Sequence, residues 1–299
     1  MTCGRSLRIR AHPLRRRSTS RPERLRGGGR TPVDSTDVLI VGGGVLGCAT
    51  AYCLACRGVD VLLIERGALN REASGANAGT LHMQIPAFHF RSQYLESSIF
   101  AQRQGDFRTT IRAKRIVVVA GAQTRQVMGL FGLDLPILPH PLQVMVTVPQ
   151  APLLRHLLQH AGSRHLSLRQ TQSGTFLLIG GGWPGFEPAD RRSSSRVEVT
   201  YRSLLANAAV AIDVVPALSD VPLIRAWAGM TSSTGRWNRV GFIGEDRRAG
   251  QRKLFVVVAG GWGFTLSPVL GRLAAELVVE GSASLDIEPF SLERAVARM

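Results

Sequence analysis

One stretch constrains this chain more than any other: Asp37-Val-Leu-Ile-Val-Gly-Gly-Gly-Val-Leu-Gly47, followed by Val61-Leu-Leu-Ile-Glu65. Residues 38–41 are apolar and mostly β-branched, as in a strand buried on both faces of a parallel sheet. Gly42, Gly44 and Gly47 then spell G-x-G-x-x-G. The first glycine takes a tight bend, the second lets backbone approach a pyrophosphate, and the third lets a helix pack on the strand. The pattern predicts a helix over 45–57, with Gly58 able to stop it in a left-handed conformation. Its N-terminal amides and dipole then point at the phosphates. The second apolar run ends at Glu65, eighteen residues past Gly47, where a carboxylate can accept hydrogen bonds from a ribose diol. Strand, turn, helix, strand and acid in this order specify a dinucleotide site, which a glycine pattern alone does not. An acid at position 65 also repels a 2′-phosphate, leaving FAD or NAD rather than NADP.

The formal net charge of +16 suggests a nucleic-acid partner until it is located. Residues 1–30 carry ten arginines against the single acid Glu23, so this arm holds nine of those charges. No base-reading module accompanies it, and specific nucleic-acid binding is not expected. The arm lacks the apolar segment of a secretory signal and the spaced apolar residues of a transit helix, so residues 1–32 are expected to be a basic, disordered extension. Residues 254–271 contain no charge. Their centre is Ala-Gly-Gly-Trp-Gly with Ser267-Pro268 behind it, which reads as strand, turn and helix; no transmembrane segment is expected. Cys48, Cys53 and Cys56 share one predicted helix and form no disulfide framework. Cys53-x-x-Cys56 lacks a second ligand pair, so no metal site is expected, and a reducing, cytoplasmic setting fits.

Further along, Ala73-Ser-Gly-Ala-Asn-Ala-Gly79 predicts a tight loop of small residues that allows close backbone approach. Ile116-Val-Val-Val-Ala-Gly121 reads as another buried strand, delivering glycine to the sheet edge where ligands sit. Strand-like runs at 142–148 and 175–179, bounded by proline and glycine, predict a mainly antiparallel sheet in a second domain, with a helix over 196–211. Residues 225–229 and 240–244 read as strands returning to the first domain. A strand over 254–258 leads to a second glycine turn, Gly260-Gly-Trp-Gly-Phe-Thr265. Beyond it a helix is expected to be capped by Ser267, to start at Pro268 and to end at Gly281.

The motifs VLIVGGGVLG, LLIERG, ASGANAGTLH, IVVVAGA, RAWAGM with GFIGE, and AGGWGFTLSPVLG occur in this order over residues 37–281. Together they resemble the FAD-dependent oxidoreductases of the D-amino acid oxidase, glycine oxidase and sarcosine oxidase superfamily, and most closely its opine oxidase and hydroxyproline dehydrogenase branch. The resemblance implies an α/β fold: a Rossmann-like FAD-binding domain of glutathione reductase type, over 33–135 and 222–299, with a smaller, truncated antiparallel α+β substrate domain over 136–221. It implies FAD as cofactor and oxidation of the carbon–nitrogen bond of an amino acid, imino acid or opine by hydride transfer. A partner subunit of a hetero-oligomeric dehydrogenase is a further implication. By position, Gly42, Gly43, Gly44, Val45, Leu46 and Gly47 would hold the pyrophosphate. Glu65 would hold the adenosine ribose, and Arg66 would lie beside the adenine. Ser74, Asn77, Ala78 and Gly79 would line ribityl and flavin, and Gly121 and Ala122 would approach the adenosine. Gly260, Gly261, Gly263, Phe264 and Thr265 would cover the flavin ring.

Two departures from the family pattern bear on catalysis. Where the amino-acid oxidases place an arginine after the W-x-G motif, this chain has Met230-Thr-Ser-Ser-Thr234, so Arg225 becomes the candidate clamp; His82, which follows the small-residue loop and would face the flavin, is the other candidate catalytic residue. Between Gly79 and Gly121 a long family segment is missing, with its break expected between Ser98 and Phe107. A shortened core buries less surface. That raises an alternative reading, a non-catalytic remnant that keeps the fold and flavin binding without turnover. A simple NAD-dependent dehydrogenase is disfavoured, since it has no use for the C-terminal glycine turn.

Overall fold

The computed structural model describes residues 7–11, 34–77, 79, 111–160, 166–180, 199–234, 241–249 and 253–297. In chain order its elements are β1 (Leu7–Ala11), β2 (Asp34–Val41), α1 (Val45–Cys56), β3 (Val61–Glu65), β4 (Ile111–Val118), α2 (Thr124–Gly129), β5 (Ile137–Thr147), β6 (Leu158–His160), β7 (Leu166–Gln170) and β8 (Phe176–Gly180). Then follow α3 (Tyr201–Val214), β9 (Leu223–Thr234), β10 (Phe242–Glu245), β11 (Leu254–Val258), α4 (Gly263–Glu280) and α5 (Leu292–Ala297). The chain divides into two compact units, one of residues 1–71, 81–137 and 233–299, the other of 72–80 and 138–232.

The first unit is built on a six-stranded sheet in the order β1-β3-β2-β4-β11-β10. All neighbours run parallel except the β10–β11 pair. Parallel strands joined by crossover helices are covered on both faces, and the residues alternate accordingly. Val117 and Val257 face a cluster that includes Ile40, Leu54, Leu63, Leu273 and Val278. Val118, Val256 and Val258 face the opposite cluster with Met128, Leu135 and Ile137. Leu54, Leu63 and Val117 are fully buried; each such side chain contributes about 1.5–3 kcal/mol relative to an exposed one.

Helices α1 and α4 lie against each other within the first cluster. A Cβ placed on Gly271 would stand 2.8 Å from both the carbonyl carbon and the Cβ of Ala49, so the two backbones meet there almost directly. At the other end of the pair the buried Glu276 links the helices. One oxygen accepts the Ser284 N–H at 2.8 Å, and the other faces Arg57 at 3.4 Å and Arg272 at 3.8 Å. A carboxylate this buried needs such partners.

The second unit carries a five-stranded sheet in the order β6-β7-β8-β5-β9, antiparallel across β6–β7, β7–β8 and β5–β8. Helix α3 closes one face through Val210 and Ala211, packed on Met145, Leu168, Phe176 and Leu178. Val144, Leu177 and Ile179 form the other face, with Trp227 against them.

Several expectations are corrected. Leu7–Ala11, inside the arm expected to be disordered, pairs in parallel with Val61–Glu65. Its alternating Leu-Arg-Ile-Arg-Ala sequence suits a strand, and the edge of β3 supplies backbone partners that no local pattern reveals. Helix α3 spans Tyr201–Val214 rather than 196–211. Residues 225–229 belong to β9 in the second sheet, so 222–232 go with the smaller unit, as do 72–80. Helix α4 begins at Gly263, not at Pro268. The Ser267 hydroxyl, expected as a cap, donates instead to the carbonyl of Gly263 one turn back. Pro268 lies inside the helix, where its missing N–H removes one hydrogen bond of the ladder.

Candidate functional site

Within the first unit, β2 lies between β3 and β4, so the chain leaves β2 toward one side and returns on the other. This is a topological switch point, and ligands of open α/β sheets bind outside the carboxyl ends of the strands there. Four strand ends meet along that edge: Val41 is in register with Ile64 and Val118, and Val118 with Val256. The turn of Gly42, Gly43 and Gly44, the Glu65 side chain, Gly121 with Ala122, and the turn of Gly260 and Gly261 therefore line one side of the sheet.

The turn itself requires its glycines. Gly42 adopts φ +117° and donates its N–H to Ile64 O at 2.9 Å. A Cβ there would strike the Val119 carbonyl, and one on Gly47 would strike the carbonyl of Gly42. The starts of α1 and α4 carry neither a side-chain cap nor an acid in the first turn. An anion is favoured at such a helix start by the amides and the dipole together.

Glu65 is half-buried and bent back over the turn. Its Oε2 accepts the Gly43 N–H at 2.7 Å and its Oε1 accepts the Gly67 N–H at 2.9 Å. Each oxygen retains acceptor capacity, which is what recognition of a diol needs. Asn70 was missed by sequence reasoning. It holds φ +55° and donates its N–H to Gly43 O at 2.8 Å, pinning the segment after β3 onto the glycine turn. Asparagine tolerates this left-handed geometry better than most residues, but nothing in its sequence position announces the contact. Cys48 lies in the first turn of α1 with Sγ 3.7 Å from Gly43 O; burial raises its thiol pKa above the ordinary range.

At the α4 end Thr265 is buried and Phe264 half-buried, while a Cβ on Gly121 or Gly261 would meet nothing within 4 Å. Arg66 is exposed beside Glu65. Ser74, Asn77, Gly79 and Arg225 lie in the second unit. Asn77 Oδ1 accepts the Gly79 N–H at 2.6 Å, and Gly79 has φ +69°. The Arg225 guanidinium is 5.7 Å from the Trp227 ring centroid, a cation–π distance. Ala78 and His82 lie outside the described residues. Among the described residues no cluster of three or more His, Cys, Asp or Glu side chains could hold a metal ion. None of their helices is long and apolar enough to cross a membrane.

The family model of the FAD dependent oxidoreductases matches residues 37–108 and 96–277, and the chain belongs to that family. The cofactor of the family is FAD. The two matched pieces meet over 96–108, where the sequence places its break. Glycine oxidase from Geobacillus kaustophilus (strain HTA426) is 28% identical over 193 residues, 64% of this chain and 47% of the oxidase. The chain thus matches about half the length of that curated relative. The crystal structure of glycine oxidase from Geobacillus kaustophilus superposes with a TM-score of 0.66 at 17% identity, covering 87% of this chain and 98% of the other. L-proline dehydrogenase from P. horikoshii gives 0.64 at 17%, covering 88% and 99%. At these identities the superpositions establish the fold.

The residues present fit a bound FAD. The turn is compact enough to bring backbone to a pyrophosphate, the acid suits a ribose, and the Gly121 and Gly261 positions open to space at the same edge.

Proposed function

We propose that the chain is an FAD-dependent oxidoreductase that oxidises the carbon–nitrogen bond of an amino acid, imino acid or opine. The observation that carries the reading is the alignment of four strand ends at one sheet edge, each with the residue types the cofactor needs. In this reading residues 42–47 and the start of α1 bind the pyrophosphate, with Asn70 fixing the turn from behind. Glu65 takes the ribose diol, with Arg66 beside the adenine and Gly121 and Ala122 along the adenosine. Bound FAD supplies the hydride acceptor, and the oxidised amine leaves as an imine that water hydrolyses. The start of α4, from Gly260 through Gly261, Gly263, Phe264 and Thr265, stabilises negative charge that develops nearby. The family resemblance alone adds Ser74, Asn77, Ala78 and Gly79 as candidate cofactor contacts. Arg225 is the candidate clamp for a substrate carboxylate, since a guanidinium binds one in bidentate fashion, and His82 is the candidate polar group facing the flavin. Assembly with a partner subunit belongs to the same proposal and rests on the resemblance to the opine oxidase branch.

A second reading, flavin binding without turnover, is favoured by one observation: 230–234 carry no arginine after Trp227-Ala-Gly229. Purified protein separates the two. Visible flavin absorbance that bleaches anaerobically with an amino acid, imino acid or opine supports the enzyme. Bound flavin that none of these bleaches supports the second reading. A folded protein that is colourless and takes up no added FAD refutes both.

A further inference from the structure

Three consecutive glycines, Gly42, Gly43 and Gly44, have more conformational freedom than any other run of this length and lose the most entropy when ordered. A binding turn made of them needs pins from elsewhere. Three hydrogen bonds supply them, and each comes from β3 or from the loop that follows it. The Gly42 N–H donates to Ile64 O at 2.9 Å, the Gly43 N–H donates to Glu65 Oε2 at 2.7 Å, and Gly43 O accepts the Asn70 N–H at 2.8 Å. Both polar groups of the Gly43 backbone are thus held, one by each end of residues 65–70. The packing is equally close: a Cβ on Gly43 would stand 2.5 Å from Leu69 Cδ2 and 2.8 Å from Glu65 Cβ. The far end of the loop turns on Asn70, which alone among the described residues has a positive φ, +55°, without being glycine. Its side chain is exposed, and Nδ2 lies 3.9 Å from Cys48 Sγ in the first turn of α1. Loop, glycine turn and α1 all belong to the first unit.

We propose that Asn70 is a positioning residue: its left-handed backbone closes a clasp of residues 65–70 over the glycine turn, and the closed clasp sets how tightly the chain holds the ADP moiety of FAD. This rests on the reading that the turn binds the pyrophosphate and Glu65 the ribose. Asn70 acts through Gly43, whose carbonyl it holds while Glu65 holds the N–H. With the clasp open the three glycines sample many conformations, and the apparent affinity falls by the fraction of chains whose turn has the binding shape. The requirement is on the backbone of residue 70 and not on its amide, since the main-chain N–H makes the bond to Gly43 O. Glycine enters the left-handed region freely, whereas a β-branched residue is strained there.

The test compares Asn70→Val and Asn70→Gly with the parent, each as the full chain. Affinity for FAD is measured by quenching of flavin fluorescence and affinity for ADP by titration calorimetry. Amide exchange over 42–44 is followed without ligand. Asn70→Val should weaken both ligands by about tenfold and speed exchange over 42–44, while exchange over 254–258 stays the same. Asn70→Gly, which keeps the backbone conformation and loses the amide, should bind both ligands within about twofold of the parent. If Asn70→Val does not fold, Asn70→Ala places a smaller strain at the same exposed position and should weaken both ligands by about threefold. Parental affinity in the strained variant overturns the positioning role, and faster exchange beside it leaves only a structural contact. An Asn70→Gly variant as weak as Asn70→Val overturns the backbone requirement. A parent protein that binds neither FAD nor ADP overturns the underlying cofactor reading instead, while the exchange comparison still decides whether Asn70 holds the turn.

Discussion

Replacing Gly271 by alanine sets two opposed effects against each other, and the structure decides the sign. Glycine in a helix interior is less favourable than alanine by up to about 1 kcal/mol, so propensity alone makes the variant more stable. Packing opposes this. The new methyl would lie 2.8 Å from the carbonyl carbon and Cβ of Ala49 and 2.9 Å from the Thr50 nitrogen. Carbon atoms in contact settle at about 3.5–4.0 Å, so the overlap is roughly 1 Å. Two of the three atoms struck are backbone atoms of α1, and no flexible side chain can move aside. Overpacking of this kind costs about 1–3 kcal/mol, and with backbone atoms struck the cost falls in the upper part of that range, above the propensity gain. The expected net loss is about 1–2 kcal/mol, or roughly 2–4 °C in melting temperature for each kcal/mol. Because α1 begins where the glycine turn ends, pushing it outward also disturbs residues 42–47, so added FAD should raise the melting temperature less than in the parent. Thermal denaturation followed by circular dichroism, with and without FAD, measures both effects. A variant as stable as the parent or more so would refute the reasoning, since it would mean that α1 and α4 do not meet backbone to backbone at this position.

Three further outcomes follow from other parts of the fold. The Asn207 side chain is buried in α3, and neither amide atom has a hydrogen-bond partner among the described residues; Asn207→Leu should stabilise the protein by about 1–3 kcal/mol in urea denaturation, and a loss would show that the amide is satisfied in solution. Burial is the main cause of the raised Cys53 and Cys48 thiol pKa values, whereas Cys56 is exposed. Iodoacetamide at neutral pH should therefore label Cys56 well before the other two, as read by peptide mass spectrometry; equal labelling would contradict the packing of α1. A hydrogen bond from Lys114 at 2.6 Å is the main cause that holds the Asp37 carboxyl below its ordinary pKa. A carboxylate with a depressed folded pKa contributes stability above its unfolded pKa and loses it as pH falls through the folded value. Lys114→Met should thus lower stability slightly at neutral pH, by less than about 1 kcal/mol for a surface pair, with the difference vanishing in acid. A gap between the two proteins that widens on acidification would reject the pairing.

What could be read from the sequence was what is encoded within short separations. Strand, turn, helix and acid between Asp37 and Glu65 lie within about thirty residues, the length of one βαβ unit, and glycine spacing carries its meaning there without knowledge of the rest of the fold. The C-terminal turn at 260–265 was legible for the same reason. The start of α4 was misjudged because Ser267 and Pro268 form a good local start signal, while the Ser267 hydroxyl has a carbonyl one turn back that competes for it. Asn70 was invisible, since its role depends on a carbonyl twenty-seven positions earlier.

The sequence by itself determined the chemistry at each strand end and the class of cofactor, because a missing side chain or a carboxylate at a fixed offset has one local physical meaning. Only the tertiary structure decided which strand ends stand side by side. It also showed that the arm contributes a strand to the edge of β3. Most of all, it placed the small-residue loop after Glu65 on β9, where Trp227 Nε1 donates to Ala76 O, rather than with the sheet it leaves. Ala76 and Trp227 are 151 positions apart in sequence, and no local pattern records that they meet.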